Sequence, residues 1–334
     1  MLIIHYMKTK VITTFVVALL SLHFSVSLHA RGSDESGGRE LTIYGLRGPS
    51  GVGMIRLFEE PPKISGFNVK VEALAQADLM AARFISGEAG IGILPPNIAA
   101  KIAASGRDLR AAAVIGAGML SLLSTDPAVA SLEDLRGKTV EVAGQGTVTD
   151  YVLRWILKSR GLMPVQDLKL GYALAYPEIA QSLIAGKVSI ALLPEPFATM
   201  ARLGRPDIKS VADIQQEWMN IGGAGNYPMT LLVVDGAFAS TNPSAVAEIL
   251  GAVKDSIEWV RANPAEAGVL VEKHGLGLRA AVVAAAVPKS NYVFIPAPEA
   301  RPSLESLFRV FLENAPASIG GALPGDRFYW KKGD

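Results

Sequence analysis

Two segments of the sequence, about 100 residues apart, align with each other without a gap. Gly87–Ala103 (GEAGIGILPPNIAAKIA) matches Gly186–Arg202 (GKVSIALLPEPFATMAR), and the alignment pairs Pro95 with Pro194. In each copy a short apolar run precedes a proline turn and a helical pattern, which is typical of a buried strand followed by a helix. Solenoid repeats recur at roughly 20 to 50 residues, so this longer spacing favours two similar lobes. The alternative is that two ordinary strand–helix units share their turn residues.

Strand and helix patterns also alternate in the rest of the sequence. Two Gly-rich turns, Gly48–Gly53 (GPSGVG) and Gly144–Thr149 (GQGTVT), each stand between a strand pattern and a helix pattern. This order predicts an α/β fold in which each lobe is a mostly parallel sheet flanked by helices. With 334 residues, the chain can bury two cores. Because the region after residue 230 is mainly helical, we expect residues 40–122 plus 230–334 to form lobe 1 and residues 123–229 to form lobe 2.

The N-terminus has the features of a secretory leader. Lys8 and Lys10 precede the apolar run Val11–Leu22, and small residues lead to a predicted cleavage near Ala30. The alternative is an uncleaved membrane anchor, but Ser, Thr and His residues interrupt the run, which is poor material for a span of ~20 apolar residues. We therefore predict that residues 1–30 are a signal peptide, that residues 31–39 are a flexible tether, and that the mature protein is periplasmic.

The residue inventory excludes several classes of protein. Once the leader is removed, His274 is the remaining histidine, and the sequence contains no cysteine. The common Cys/His zinc sites cannot be assembled, and a lipid cannot be attached through an N-terminal cysteine. A formal net charge of +1 without basic clusters gives no footprint for nucleic acid. We therefore expect a monomeric protein that is not an enzyme, needs no metal or cofactor, and binds no nucleic acid.

Several motifs together resemble one family of transport proteins. They are the GPSGVG turn, the GEAGIGILPPN segment, LEDLRGKTVEVAGQGT from residue 132, AGKVSIALLPEP from residue 185, and the helical tail. In combination they resemble the solute-binding component of nitrate/sulfonate/taurine (NitT/TauT-type) ABC importers, a family that also includes binders of thiamine-pyrimidine precursors. The resemblance covers nearly all of Leu41–Trp330. It implies a type II-like periplasmic-binding-protein fold, a small-molecule ligand, and the permease subunits of an ABC importer as partners.

The predicted ligand site lies between the two lobes. Ligands of α/β lobes bind outside the carboxyl ends of the strands, where the N-termini of helices converge. The chain is expected to cross between the lobes near Ser121–Ser124 and near Pro228–Thr230, and two crossings make a hinge that could close on the ligand. The candidate ligand-binding residues are Arg47, Pro49, Ser50, Gly51, Pro96 and Asn97 from lobe 1, and Gln145, Thr147, Thr149, Tyr176, Glu195, Phe197 and Tyr227 from lobe 2 and the return crossing.

Each of these residue types also has a structural interpretation. The glycines could serve only a tight turn, and one of Thr147 and Thr149 could cap the following helix. Arg47 could bind an oxyanion or form a surface ion pair, and Glu195 could bind an amine or favour a helix start. The aromatic residues could stack on a flat ligand or belong to the core. Because a single cation lies near the predicted cleft, an organic ligand is favoured over nitrate. A biosynthetic enzyme on the same fold, making pyrimidine or menaquinone precursors, is the alternative function.

Overall fold

The strands form two separate sheets in the computed structural model, which describes residues 38–331. The predicted signal peptide and nearly all of the predicted tether lie outside the described residues. The first sheet contains β1 (Arg39–Leu46), β2 (Phe67–Leu74), β3 (Ile91–Leu94), β4 (Leu109–Ala117), β10 (Pro228–Asp235) and β11 (Tyr292–Pro296); the second contains β5 (Leu120–Ser124), β6 (Thr139–Val142), β7 (Lys169–Gly171), β8 (Ile190–Pro194) and β9 (Lys209–Asp213).

Both sheets are mixed. In the first sheet, with strand order β11-β4-β10-β3-β1-β2, β1 pairs in parallel with β2 and β3, and β10 runs antiparallel between β3 and β4. In the second sheet, β6 pairs in parallel with β7 and β8, and β5 runs antiparallel between β8 and β9. The α/β class is as predicted. However, β5, the first strand after the chain enters the second sheet, and β10, the first strand after it returns to the first sheet, are each antiparallel to both of their neighbours. These reversals make the sheets less parallel than the alternating pattern predicts.

Helices cover both sheets and bury one apolar stripe each. In α5 (Val148–Ser159), Val148, Val152 and Ile156 recur at intervals of four residues and are buried, so one face of the helix packs on the core. No helix among residues 38–331 is long and apolar enough to cross a membrane. The other helices are α1 (Pro49–Val52), α2 (Ile55–Glu59), α3 (Ala77–Ser86), α4 (Pro96–Ala104), α6 (Tyr176–Ile184), α7 (Phe197–Gly204), α8 (Ile214–Asn220), α9 (Gly236–Thr241), α10 (Pro243–Ala262), α11 (Pro264–Lys273), α12 (Ala280–Ala286) and α13 (Ala297–Asn314).

The two connections between the sheets touch each other. The first passes through Gly118 between β4 and β5, just before the predicted crossing, and the second enters β10 at Pro228. The Gly118 N–H donates to the Tyr227 carbonyl oxygen over 2.8 Å, and the Asn226 side-chain amide donates to the Gly118 carbonyl oxygen. A Cβ atom on Gly118 would lie 2.4 Å from the Tyr227 ring, so only glycine fits this close approach. The paired connections have the arrangement that a hinge requires.

We call the first sheet and its helices the first lobe, and the second sheet and its helices the second lobe. The exact lobe boundaries given above remain a prediction. The fold brings two strand–helix junctions together. One is the β1–α1 junction of the first lobe, and the other is the β6–α5 junction of the second lobe. Both junctions carry the Gly-rich turns of the sequence.

Candidate functional site

A cavity of about 290 Å³ lies between the lobes and is lined from both sides. The first lobe contributes the β1–α1 junction, and the second lobe contributes the β6–α5 junction. A larger open groove of about 500 Å³ runs between α4 and residues 319–328, but it belongs to the first lobe alone. Six of the thirteen predicted ligand-binding residues line the cavity between the lobes: Arg47, Pro49, Ser50, Thr147, Thr149 and Tyr176.

Four further candidates lie near the cavity without lining it. Gly51 packs so closely that an added Cβ would lie 2.1 Å from the Leu46 carbonyl oxygen, which supports the tight-turn interpretation. Pro96 and Asn97 are buried at the start of α4. Phe197 stacks on Tyr176, with ring centroids 5.8 Å apart and an angle of 18° between the planes, so it supports a lining residue from behind.

The remaining three candidates make other contacts. Gln145 lines a separate surface recess. Glu195 is buried, with Oε1 2.5 Å from Arg202 Nη2 and Oε2 accepting from the Thr199 N–H. Tyr227 is fully buried and donates its hydroxyl to Gln215. Glu195 therefore takes the helix-start role that the sequence left open, while a direct role of these residues in ligand binding stays untested.

Arg47 is the one charged side chain that lines the cavity among residues 38–331. Within the same residues its guanidinium makes no ion pair and no hydrogen bond, and no Asp or Glu side chain lines the cavity with it. A guanidinium without a carboxylate partner keeps its donors available for an anion, and it can bind two oxygens at once. The cavity therefore carries a positive charge that the protein itself does not neutralise.

The N-terminus of α5 adds a second source of positive potential. Thr147 occupies the N-cap position, but its hydroxyl donates to the Gly144 carbonyl oxygen over 2.6 Å and makes no capping hydrogen bond. Because the first N–H groups of a helix lack intrahelical partners, an uncapped N-terminus beside the cavity attracts negative charge. A hydrogen bond from the Gly146 N–H to the Asp150 carboxylate fixes the turn before α5.

Asp150 belongs to a buried network that fixes this turn. Its carboxylate accepts from Arg154 Nε over 2.6 Å and from the Tyr172 hydroxyl over 2.5 Å. Burial, together with the hydrogen bond to Asp150, raises the pKa of Tyr172, so the phenol stays protonated and remains a donor. Arg154 balances the negative charge of Asp150, which would otherwise oppose an anion at the N-terminus of α5.

The rest of the lining is mostly apolar and was not predicted from the sequence. Met119 comes from the first connection, Met229 and Thr230 from β10, and Tyr292 from β11. Among residues 38–331 the buried Tyr292 hydroxyl meets no partner of normal hydrogen-bond geometry, and burial raises the pKa of Tyr292. Thr230 is the one polar residue in the stretch Pro228–Val234 (PMTLLVV) of β10, and this was the one available sequence signal for a member of this group.

The fold and the cavity define a two-lobed α/β protein with a cavity between its lobes that is large enough for a small molecule. A family model described as "NMT1/THI5 like" matches residues 63–267, and the chain belongs to this family. An ABC transporter protein from Parabacteroides distasonis is 26% identical, with 87% of this chain and 99% of that chain covered and a TM-score of 0.76. No curated protein sequence matches the chain.

Two further structures share the fold at lower identity. The periplasmic aliphatic sulphonate binding protein SsuA from Escherichia coli is 17% identical, covering 88% of this chain and 92% of that chain with a TM-score of 0.68. The periplasmic nitrate-binding protein NrtA from Synechocystis is 10% identical, covering 84% of each chain with a TM-score of 0.61. These comparisons confirm the resemblance and the two-lobed fold class predicted from the sequence. They also support the solute-binding interpretation over the biosynthetic enzyme.

Proposed function

We propose that this chain is the extracytoplasmic solute-binding protein of an ABC importer and that it captures a small organic anion between its lobes. The observation that carries the proposal is the lining of the cavity: Arg47 has no ion-pair partner within the part of the chain that the structure describes, and no carboxylate is present among the lining residues. Such a lining is suited to an anion and unsuited to an ammonium group, which would need a carboxylate partner. The relatives, an ABC transporter protein and two periplasmic binding proteins, have the same fold.

The size and polarity of the cavity favour an anion with an organic body. A volume of about 290 Å³ corresponds to roughly ten water molecules at ~30 Å³ each. An ion as small as nitrate would leave most of that space to water, beside the apolar side chains of Ile115, Met119 and Met229. An organic body would displace this water and gain from contact with apolar surface. We therefore place the anionic head near Arg47 and the organic body against these side chains.

The cellular setting belongs to the same proposal. The leader-like N-terminus and the periplasmic relatives support export, with cleavage near Ala30 and no cysteine for a lipid anchor. The protein would act as a periplasmic monomer and deliver its ligand to the permease subunits of the importer. This role requires no cofactor, because the protein binds its ligand without changing it.

Ligand binding is expected to make the protein more compact. A ligand that contacts both lobes stabilises the closed form by its higher affinity for that form, and the paired connections at Gly118 and Tyr227 supply the hinge. Small-angle X-ray scattering with and without saturating ligand measures the change. We expect a smaller radius of gyration in the complex. An unchanged scattering profile with a ligand shown to be bound would rule out closure.

A thermal-shift panel tests the proposed function directly. The panel contains taurine, alkanesulfonates, nitrate, thiamine precursors and flavins. A compound present at ~100 times its Kd should add about 2.7 kcal/mol to the free energy of unfolding, and we expect this effect from organic anions and not from nitrate. Butylammonium serves as a cationic control. Stabilisation by no panel compound, or by butylammonium alone, would overturn the proposal.

A further inference from the structure

Two pairs of hydroxyl groups line the cavity, one pair in each lobe. In the first lobe, Thr230 Oγ1 donates to Ser50 Oγ over 3.2 Å. In the second lobe, Thr149 Oγ1 and the Tyr176 hydroxyl oxygen lie 2.7 Å apart. Both threonines are buried, with 5% of Thr230 and 2% of Thr149 exposed. Buried polar groups in such a wall are costly unless every donor finds an acceptor.

A count of protons shows that each pair has one donor to spare. A hydroxyl group carries one proton and can accept two hydrogen bonds. One proton in each pair makes the internal bond, and no acceptor among residues 38–331 takes the other. For Ser50 the direction is fixed, because its oxygen already receives the Thr230 proton and its own proton must point elsewhere. Burial raises the pKa of Tyr176, so this phenol stays protonated and the second pair keeps both of its protons.

We propose that the two spare protons donate to the head group of the ligand from opposite lobes, and that Thr230 is a positioning residue that directs the Ser50 proton into the cavity. The proposal rests on the proposed function, since it assumes that an anion is captured here. It defines the ligand further: the head group must offer at least two acceptor atoms, one for each lobe, in addition to those that Arg47 binds. Contact with both pairs at once also requires the lobes to be closed.

A double-mutant cycle tests the role of Thr230. Binding of butane-1-sulfonate to the full chain is measured by calorimetry for wild type, Ser50→Ala, Thr230→Val and the double variant. Loss of a hydrogen bond to a charged group should weaken binding about tenfold or more in Ser50→Ala. Thr230→Val should reduce the affinity severalfold when Ser50 is present. It should cause no further loss of affinity in the Ser50→Ala background, because Thr230 acts through Ser50. Additive losses, or no loss in Thr230→Val, would overturn the positioning role.

Two threonines of the second lobe provide a matched comparison. Thr149→Val should weaken binding about tenfold, because the pair keeps a single hydroxyl, that of Tyr176, which loses the partner that positions it at the cavity. Thr125→Val should change the affinity less than about threefold, because Thr125 does not line the cavity and its proton is already used by the Ser189 carbonyl oxygen. Equal losses from the two substitutions would mean that any threonine hydroxyl of this lobe has the same effect, and would overturn the inference.

The outcomes separate this inference from the proposed function. If wild type does not bind butane-1-sulfonate, the probe is the anionic panel compound that stabilises the protein most. If no anion binds wild type, the proposed function fails and this inference fails with it. If an anion binds and both Ser50→Ala and Thr149→Val keep wild-type affinity, the inference about the hydroxyl pairs is wrong and the proposed function stands.

Discussion

Replacing Arg47 with glutamine is expected to weaken the binding of an organic anion by about two to three orders of magnitude, while the free energy of unfolding changes little. The guanidinium lines the cavity and has no hydrogen-bond or ion-pair partner among residues 38–331, so its full set of donors is available to the ligand. Truncating one partner of a buried, hydrogen-bonded charge pair typically costs about 2 to 5 kcal/mol, and closure of the lobes on the ligand would bury Arg47, which is exposed in this structure. Because Arg47 makes no ion pair within residues 38–331, its removal leaves no other charge unpaired. Calorimetric titration of the most stabilising panel compound measures the loss.

A charge-matched control removes the general effect of net charge. Arg56 lies on α2 in the same lobe, is about half exposed, and contacts Glu60 at 3.5 Å without lining the cavity. Arg56→Gln should therefore leave the affinity within about twofold of wild type, because exposed ion pairs contribute little. Arg47→Lys should bind more tightly than Arg47→Gln and less tightly than wild type, since lysine keeps the charge but cannot donate to two oxygens in the plane of a guanidinium. Equal affinity of Arg47→Gln and wild type would exclude Arg47 from the binding site.

The fold was predictable where local pattern and tertiary environment agree. The helix pattern predicted after the turn Gly144–Thr149 is α5 in the structure. It could be predicted because a four-residue apolar spacing and a preceding Gly-rich turn both indicate it. The nine-residue strand β4 was not predicted. Its sequence LRAAAVIGA is rich in alanine, which favours helices. It is a strand because it pairs with both β10 and β11 and is buried along its whole length, and those neighbours are more than 100 residues away in sequence.

The residues of the candidate site likewise divide into those that a local sequence pattern predicts and those that depend on tertiary packing. The turns at Ser50 and Thr147 could be assigned to the cavity because a Gly-rich turn between strand and helix has a known place in an α/β lobe. Met119 and Tyr292 could not be found this way, because their positions depend on how the connections and the last strand pack. Glu195 and Tyr227 have the polar or aromatic character of ligand-binding residues, but each meets a protein partner, Arg202 and Gln215 respectively. A sequence shows that a polar group is present and does not show which neighbour satisfies it.

Replacement of Glu195 with alanine is expected to reduce the free energy of unfolding by about 3 to 5 kcal/mol, since breaking a buried ion pair leaves its partner uncompensated. The Glu195 side chain is 3% exposed and holds Arg202, whose Nε atom is already buried without a partner. The same substitution frees the Thr199 N–H at the start of α7. Because Glu195 does not line the cavity, the affinity for an organic anion should stay within about threefold of wild type whenever the variant is folded. Urea unfolding measures the stability, and calorimetry below the transition measures the affinity.

Glu178 provides the matched control for this substitution. It is exposed, lies near the start of α6 in the same lobe, and accepts from the Ala175 N–H over 3.0 Å. Glu178→Ala should therefore cost only about 1 kcal/mol, the usual contribution of a helix cap. If Glu195→Ala unfolded at the urea concentration of wild type and instead lost affinity for its ligand, Glu195 would be a ligand-binding residue. In that case the Glu195 side chain would have to turn from Arg202 towards the cavity when the ligand binds, because it does not line the cavity in this structure.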